Sequence, residues 1–185
     1  MKSIYLIPVA FLLLTACEKL EDANTKDLQT PEAVIEMNDD EFVVTPGDSE
    51  TSLNKFSITK PVNYYNLEGL SSDITKYNKS HVKSITCKSA SLTIITDNSE
   101  GTVIHNLVMS TDSPDASTFQ MSEYTLGVPV RTAETKQYAE KIGMDIVLRD
   151  QVLITATGET DAPAGTHFKV SLILEDVNVQ VSIAN

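Results

Sequence analysis

"FKVSLILEDVNVQVSI", residues 168–183, is the stretch whose reading decides the fold class. Phe168, Val170, Leu172 and Leu174 recur every second residue, as the buried face of a strand requires. Val177, Val179, Val181 and Ile183 keep the same period on the opposite phase. A slip of one residue turns every later side chain to the other face of a sheet. The economical reading is a strand with a bulge or tight bend at "LEDV", Leu174–Val177.

The same signature recurs upstream. In "SASLTIIT" (89–96), Ala90, Leu92 and Ile94 share a face, while Ile85 and Cys87 before them occupy the other phase. A second bulge near Lys88-Ser89 reconciles the two. "NKFSITK" (54–60) alternates through Phe56 and Ile58, and "QVLITATG" (151–158) is a further strand ended by the loop "ETDAPAG" (159–165). "TVIHNLVM" (102–109) follows the turn residues "DNSEG" (97–101), which predicts a hairpin with the preceding strand. Two helices interrupt the pattern. Leu67, Leu70, Ile74 and Tyr77 stand at helical spacing, and "TAETKQYAEKIG" (132–143) opens on an N-cap, Thr132, and closes on Gly143 as C-cap. Strand-rich runs punctuated by Gly, Pro, Asn and Asp predict a mainly β chain. The expected architecture is an antiparallel β-sandwich, Ig-like or jelly-roll-like, with one or two short helices, over residues 42–185.

The beginning of the chain is of another kind. Lys2 precedes thirteen mostly apolar residues, Ile4–Ala16, interrupted by Pro8. A membrane-spanning helix needs ~20 such residues, so the run is too short to span. A basic start, a short apolar core and small residues at a boundary predict a signal peptide over residues 1–16. The boundary "LTAC", Leu14–Cys17, resembles the lipobox of bacterial lipoproteins. That resemblance implies cleavage before Cys17, lipidation of its sulfur and acylation of its new amino group. The mature chain is then anchored to a membrane through Cys17. Residues 17–41 are rich in charge and poor in large apolar groups, and read as the lipidated cysteine and a polar tether, with a short structured piece near "EAVIEM". If flexible, such a tether reaches roughly 25–30 Å.

Composition narrows the functional classes. The 185 residues carry a net charge of −12, with no basic stripe to neutralise phosphates, so nucleic acid is excluded as a partner. With Cys17 lipidated, Cys87 has no disulfide partner and reads as a small core residue. His81, His105 and His167 are dispersed, and no metal site or cofactor is expected. His105 alternates with Val103 and Leu107 and reads as a core histidine. Neither a G-x-S-x-G elbow nor a phosphate-binding glycine loop occurs, so no catalytic residues are assigned. The acidic loops "NDDE" (38–41) and "DSPD" (112–115) read as solvated. "NYYN" (63–66) offers Tyr64 and Tyr65 for stacking on a ligand such as a sugar ring, although neighbouring residues of a strand face opposite ways.

As a whole the chain resembles the small, mostly uncharacterised β-sandwich lipoproteins of Bacteroidota. The resemblance rests on "LTAC", the polar tether, "KSITCKSASLTI" (83–94) and "LITATGETDAPAGTHFKVSLIL" (153–174). It implies secretion across the inner membrane and anchoring to the outer membrane. "EKLED" (18–22) looks like the acidic, lysine-containing patch associated in that family with export to the cell surface; the other reading is a plain polar tether. The expected function is a non-catalytic binding or interaction module with a protein or glycan partner, in a nutrient-uptake or surface assembly. The alternatives are a fimbrial, pilus-type subunit and a carboxylate-based hydrolase. Cleavage after an N-terminal arginine typifies the fimbrial family, and the first arginine here is Arg131.

Overall fold

The computed structural model describes residues 24–37, 44–45, 53–63, 67–68, 79–96, 101–113 and 117–183. Two antiparallel sheets face one another as a β-sandwich. The first holds β1 (Thr25–Met37), β3 (Leu67–Glu68), β4 (Val82–Thr86), β5 (Ser89–Ile95) and β9 (Lys169–Ser182). Its order is β3-β1-β9-β4, with β5 continuing β4 along the same flank of β9. The second sheet holds β2 (Asn54–Asn63), β6 (Val103–Thr111), β7 (Thr118–Thr125) and β8 (Gln151–Thr160), in the order β2-β8-β6-β7. One α-helix, α1 (Ala133–Arg149), is present among the described residues.

Both expected phase slips exist, and they meet. In β9 burial passes from Leu174 to Val177, and Asp176 takes φ 50°, the left-handed conformation that inserts the extra residue. Beside it, β4 and β5 are interrupted at Cys87-Lys88, and β1 shifts phase between Thr30 and Ala33 around Pro31. Pairing is unshifted across the line: Thr30↔Val177 and Glu32↔Glu175 on one side of β9, Thr86↔Asn178 and Ser89↔Glu175 on the other. All three strands take up the extra residue at one level, so the sheet bends along a row. The change of phase keeps Ala33, Leu172 and Leu92 on the core side above the row, with Val179 and Ile85 on it below.

The second sheet repeats the device at Asn106, φ 53°. Ile104 is buried before it, and Leu107 and Met109 after it. The β6–β8 register shifts between His105 and Val108, while β7 follows β6 and keeps its pairing.

The expected boundary at residue 42 is too late. Residues 25–37 form a thirteen-residue strand paired with β9 from Thr25↔Ser182 to Met37↔Val170. Polar outward residues such as Lys26, Gln29 and Glu36 hide the alternation of Ala33, Ile35 and Met37, which are buried. The tether expected over residues 17–41 loses the same stretch. The helix expected from Leu67 also gives way, since Leu67–Glu68 pair with Val34 and Ile35 as β3; Leu70, Ile74 and Tyr77 lie outside the described residues.

The second expected helix starts where its cap predicts: Thr132 is extended, and its Oγ1 accepts from the Thr135 amide. It runs past Gly143 to Arg149 and ends on Asp150, φ 68°. Thr135, Tyr138, Ala139, Ile142, Ile146 and Val147 form its buried stripe, which extends beyond Gly143 and overrides the stop. The helix wedges between the sheets. Gly143 lies against Ile85, where a Cβ would sit 3.7 Å from the nearest methyl, and the Tyr138 ring lies 5.9 Å from that of Phe119 in β7. At the opposite end the Phe56 and Phe168 rings meet edge to face at 5.5 Å and tie the sheets together.

Candidate functional site

The bend in the first sheet opens its surface. Where Pro31 and Asp176 leave the ladder, a groove of about 380 Å³ forms, lined by Gln29, Thr30, Pro31, Asp176, Val177 and Asn178. A smaller depression of about 280 Å³ accompanies the Asn106 bulge, between Leu107, Val108, Gln120 and Met121. Each lies where a residue with positive φ interrupts the pleat. The first is the more polar in its chemistry. Asp176 faces Lys88 Nζ at 3.4 Å, and the buried Asn178 Oδ1 has no hydrogen-bond partner among the described residues. A carboxylate, two side-chain amides and a hydroxyl thus surround an open space. That set suits a ligand bearing hydroxyl or N–H groups.

A polar network braces the far side of the bend. Glu175 accepts from Ser89 Oγ at 2.5 Å and from Arg131 Nη2 at 2.9 Å. Glu140, on α1, accepts the Cys87 amide at 2.7 Å and Lys136 Nζ at 2.8 Å. The Cys87 N–H has left the ladder at the break, so the carboxylate supplies the acceptor that the sheet does not. Burial, followed by the nearby Glu140 charge, pushes the Cys87 thiol up to about 11. It is a buried free thiol held in its protonated form, as expected of a core cysteine.

Asp112 departs from the solvated-loop reading. Its carboxylate takes both Arg149 Nη groups, at 3.1 and 3.0 Å, and the Leu153 amide at 3.0 Å. The Arg149 hydrogen bonds, then the Leu153 amide, hold its carboxyl below the usual range. A lowered carboxylate contributes stability above its unfolded pKa and loses it as pH falls through the folded one. The contact fastens the end of β6 to the junction of α1 and β8. Only tertiary folding brings these three residues together.

His105 is a correction. The Asn106 bulge separates it from Leu107, so His105 lies half-buried on the outer face while Leu107 enters the core. Its Nδ1 is 3.8 Å from Glu123 Oε1, and Glu159 pairs with it from β8. His81 lies in a 3₁₀ turn and His167 is exposed in a loop. Cys17, Tyr64 and Tyr65 lie outside the described residues, as does "NDDE". No group of three or more metal-ligating side chains assembles among the described residues. No helix among them is long and apolar enough to cross a membrane.

The groove and the network were not among the residues singled out from the sequence. The two phase slips were the available signal, because a bulge is where a strand surface opens. No family model, curated protein or solved structure matches the chain.

Proposed function

We propose that this protein is a cell-envelope lipoprotein, anchored to the outer membrane through Cys17, whose sandwich is a non-catalytic binding module. The observation that carries the reading is the "LTAC" boundary after a thirteen-residue apolar run. Lipid is a sufficient anchor on physical grounds. Each buried methylene contributes ~0.8 kcal/mol, and more than one chain is needed for stable attachment. The acylated cysteine of the lipoprotein family carries three.

The binding role is supported by the groove at the sheet bend. Its polar walls offer a carboxylate, a hydroxyl and two side-chain amides to a ligand, and the Thr30 hydroxyl donates to the Glu32 carbonyl. Three groups with displaced titration serve the fold: Cys87 and Tyr138 are raised by burial, and Asp112 is lowered by its clamp. A glycan or a peptide segment, rich in hydroxyl or N–H donors, is the class of partner that fits.

Metabolic labelling with palmitate tests the anchor. Label should enter the wild-type chain, and Cys17→Ala should abolish both label and membrane attachment. Attachment unchanged in the variant would overturn the reading. Glycan and peptide arrays probed with the soluble domain test the groove, with Asn178→Ala and Gln29→Ala lowering any signal. A signal indifferent to both would place binding elsewhere.

A further inference from the structure

The strand β1 begins so early that it limits how far the domain stands from its anchor. Six residues, 18–23, lie between Cys17 and Asn24, where the described fold starts. Asn24 is held there, its carbonyl accepting the Ile183 amide at 2.6 Å. Seven Cα–Cα steps extend to at most about 25 Å. The fourteen residues of β9 measure about 45 Å at ~3.3 Å each, so the domain is longer than its leash.

The end of the sandwich nearest Cys17 is identified by the strand directions. β1 starts there, and β9 ends and β4 starts beside it. Since Glu140 meets Cys87 and Gly143 meets Ile85, α1 runs antiparallel to β4 and ends at the same level, as does the start of β8. Three of the five large apolar residues exposed in the described structure lie at this end: Leu148, Leu153 and Ile183. Lys26 and Lys83 are exposed there too, with the acids Asp27, Asp112 and Asp150 and with Arg149, which pairs with Asp112. Exposed aliphatic groups among charged side chains of both signs suit the headgroup boundary. Apolar groups enter it, and the ammonium groups reach phosphate on long stems.

We propose that this end, marked by Leu148, Leu153 and Ile183, rests on the bilayer surface. The opposite end, with Ile95, Val128 and the 161–168 loop, then points away from the membrane. The inference rests on lipidation of Cys17. It replaces the expectation of a polar tether over residues 17–41, and it places the groove at the sheet bend between the two ends.

The test uses the full lipidated protein in vesicles of phosphatidylethanolamine and phosphatidylglycerol, beside a variant with a twenty-residue Gly-Ser spacer inserted between Asp22 and Ala23. Amine-reactive labelling is read at each lysine by mass spectrometry. Lys26 and Lys83 should label at least about threefold less, relative to Lys169, in the native chain than in the spacer variant. Equal ratios in the two chains, with both floating on the vesicles, would overturn the orientation and leave the anchor standing. A chain that carries no lipid on its N-terminal peptide and does not float would overturn both.

Discussion

At the scale of single residues, Gly158 carries a consequence of the sandwich geometry. It pairs with Phe56 across β2 and β8, and a Cβ built on it would lie 2.8 Å from the Phe56 ring and 3.0 Å from Ile104. The ring is also packed edge to face with Phe168, at 5.5 Å between centroids, which limits its room to shift. Gly158→Ala should therefore destabilise the fold by about 1–3 kcal/mol through overpacking, measured as a lower urea midpoint at unchanged slope. Cys87 makes a second residue-scale prediction. With its thiol raised to about 11, alkylation at pH 8 should be slow in the native protein and prompt in urea. The unfolded thiol ionises near 9.0, so this group's contribution to stability is present below that value and lost between 9.0 and 11. Rapid native alkylation would mean the thiol is accessible.

At the scale of elements, α1 shows how a local signal loses to a tertiary one. Glycine lowers helix propensity, and the sequence offers Gly143 at a plausible end, yet Ile146 and Val147 continue the buried stripe and carry the helix six residues further. Its backbone there is helical, and the space beside it is ordinary contact distance from Ile85. Gly143→Ala should accordingly stabilise the protein by about 0.5–1 kcal/mol, seen as a higher thermal midpoint. A fall would mean that Ile85 cannot accommodate the methyl. The strands teach the complementary lesson. The slips at Leu174–Val177 and Lys88-Ser89 were legible because hydrophobic parity is recorded directly in the chain. Their alignment in neighbouring strands, together with the third slip at Pro31, was not legible, because register is a property of pairing. The groove at the bend follows from that alignment and was equally out of reach.

At the scale of the whole molecule, β1 decides where the domain begins. It pairs with β9 over its full length and contributes Ala33, Ile35 and Met37 to the core. Fully burying a large aliphatic side chain is worth about 1.5–3 kcal/mol, against a total stability of roughly 5–15 kcal/mol for a domain. Losing the strand also strips one flank of β9 of its hydrogen bonds. A chain beginning at residue 42 should show no cooperative thermal transition, whereas one beginning at Asn24 should melt like one beginning at Glu18. A cooperative melt of the shorter chain would show that β1 is dispensable.

Sequence alone determined the mainly β class, the strands other than β1, β3 and β7, the slips at Leu174–Val177 and Lys88-Ser89, and the start of α1. Each of these is written in local periodicity or in a cap three residues long. The hairpin expected between 89–96 and 102–109 gives way, because β5 and β6 lie in different sheets. The expected address likewise depends on a contiguous segment, Lys2–Cys17. Tertiary structure decided the rest. It drew an outwardly polar segment into the sheet because β9 offered an unpaired flank, turned His105 outward through one residue of positive φ, and joined Asp112 to Arg149 and Leu153. These are contacts between residues distant in the chain. Their energies arise from pairing and burial, which no window of neighbouring residues contains.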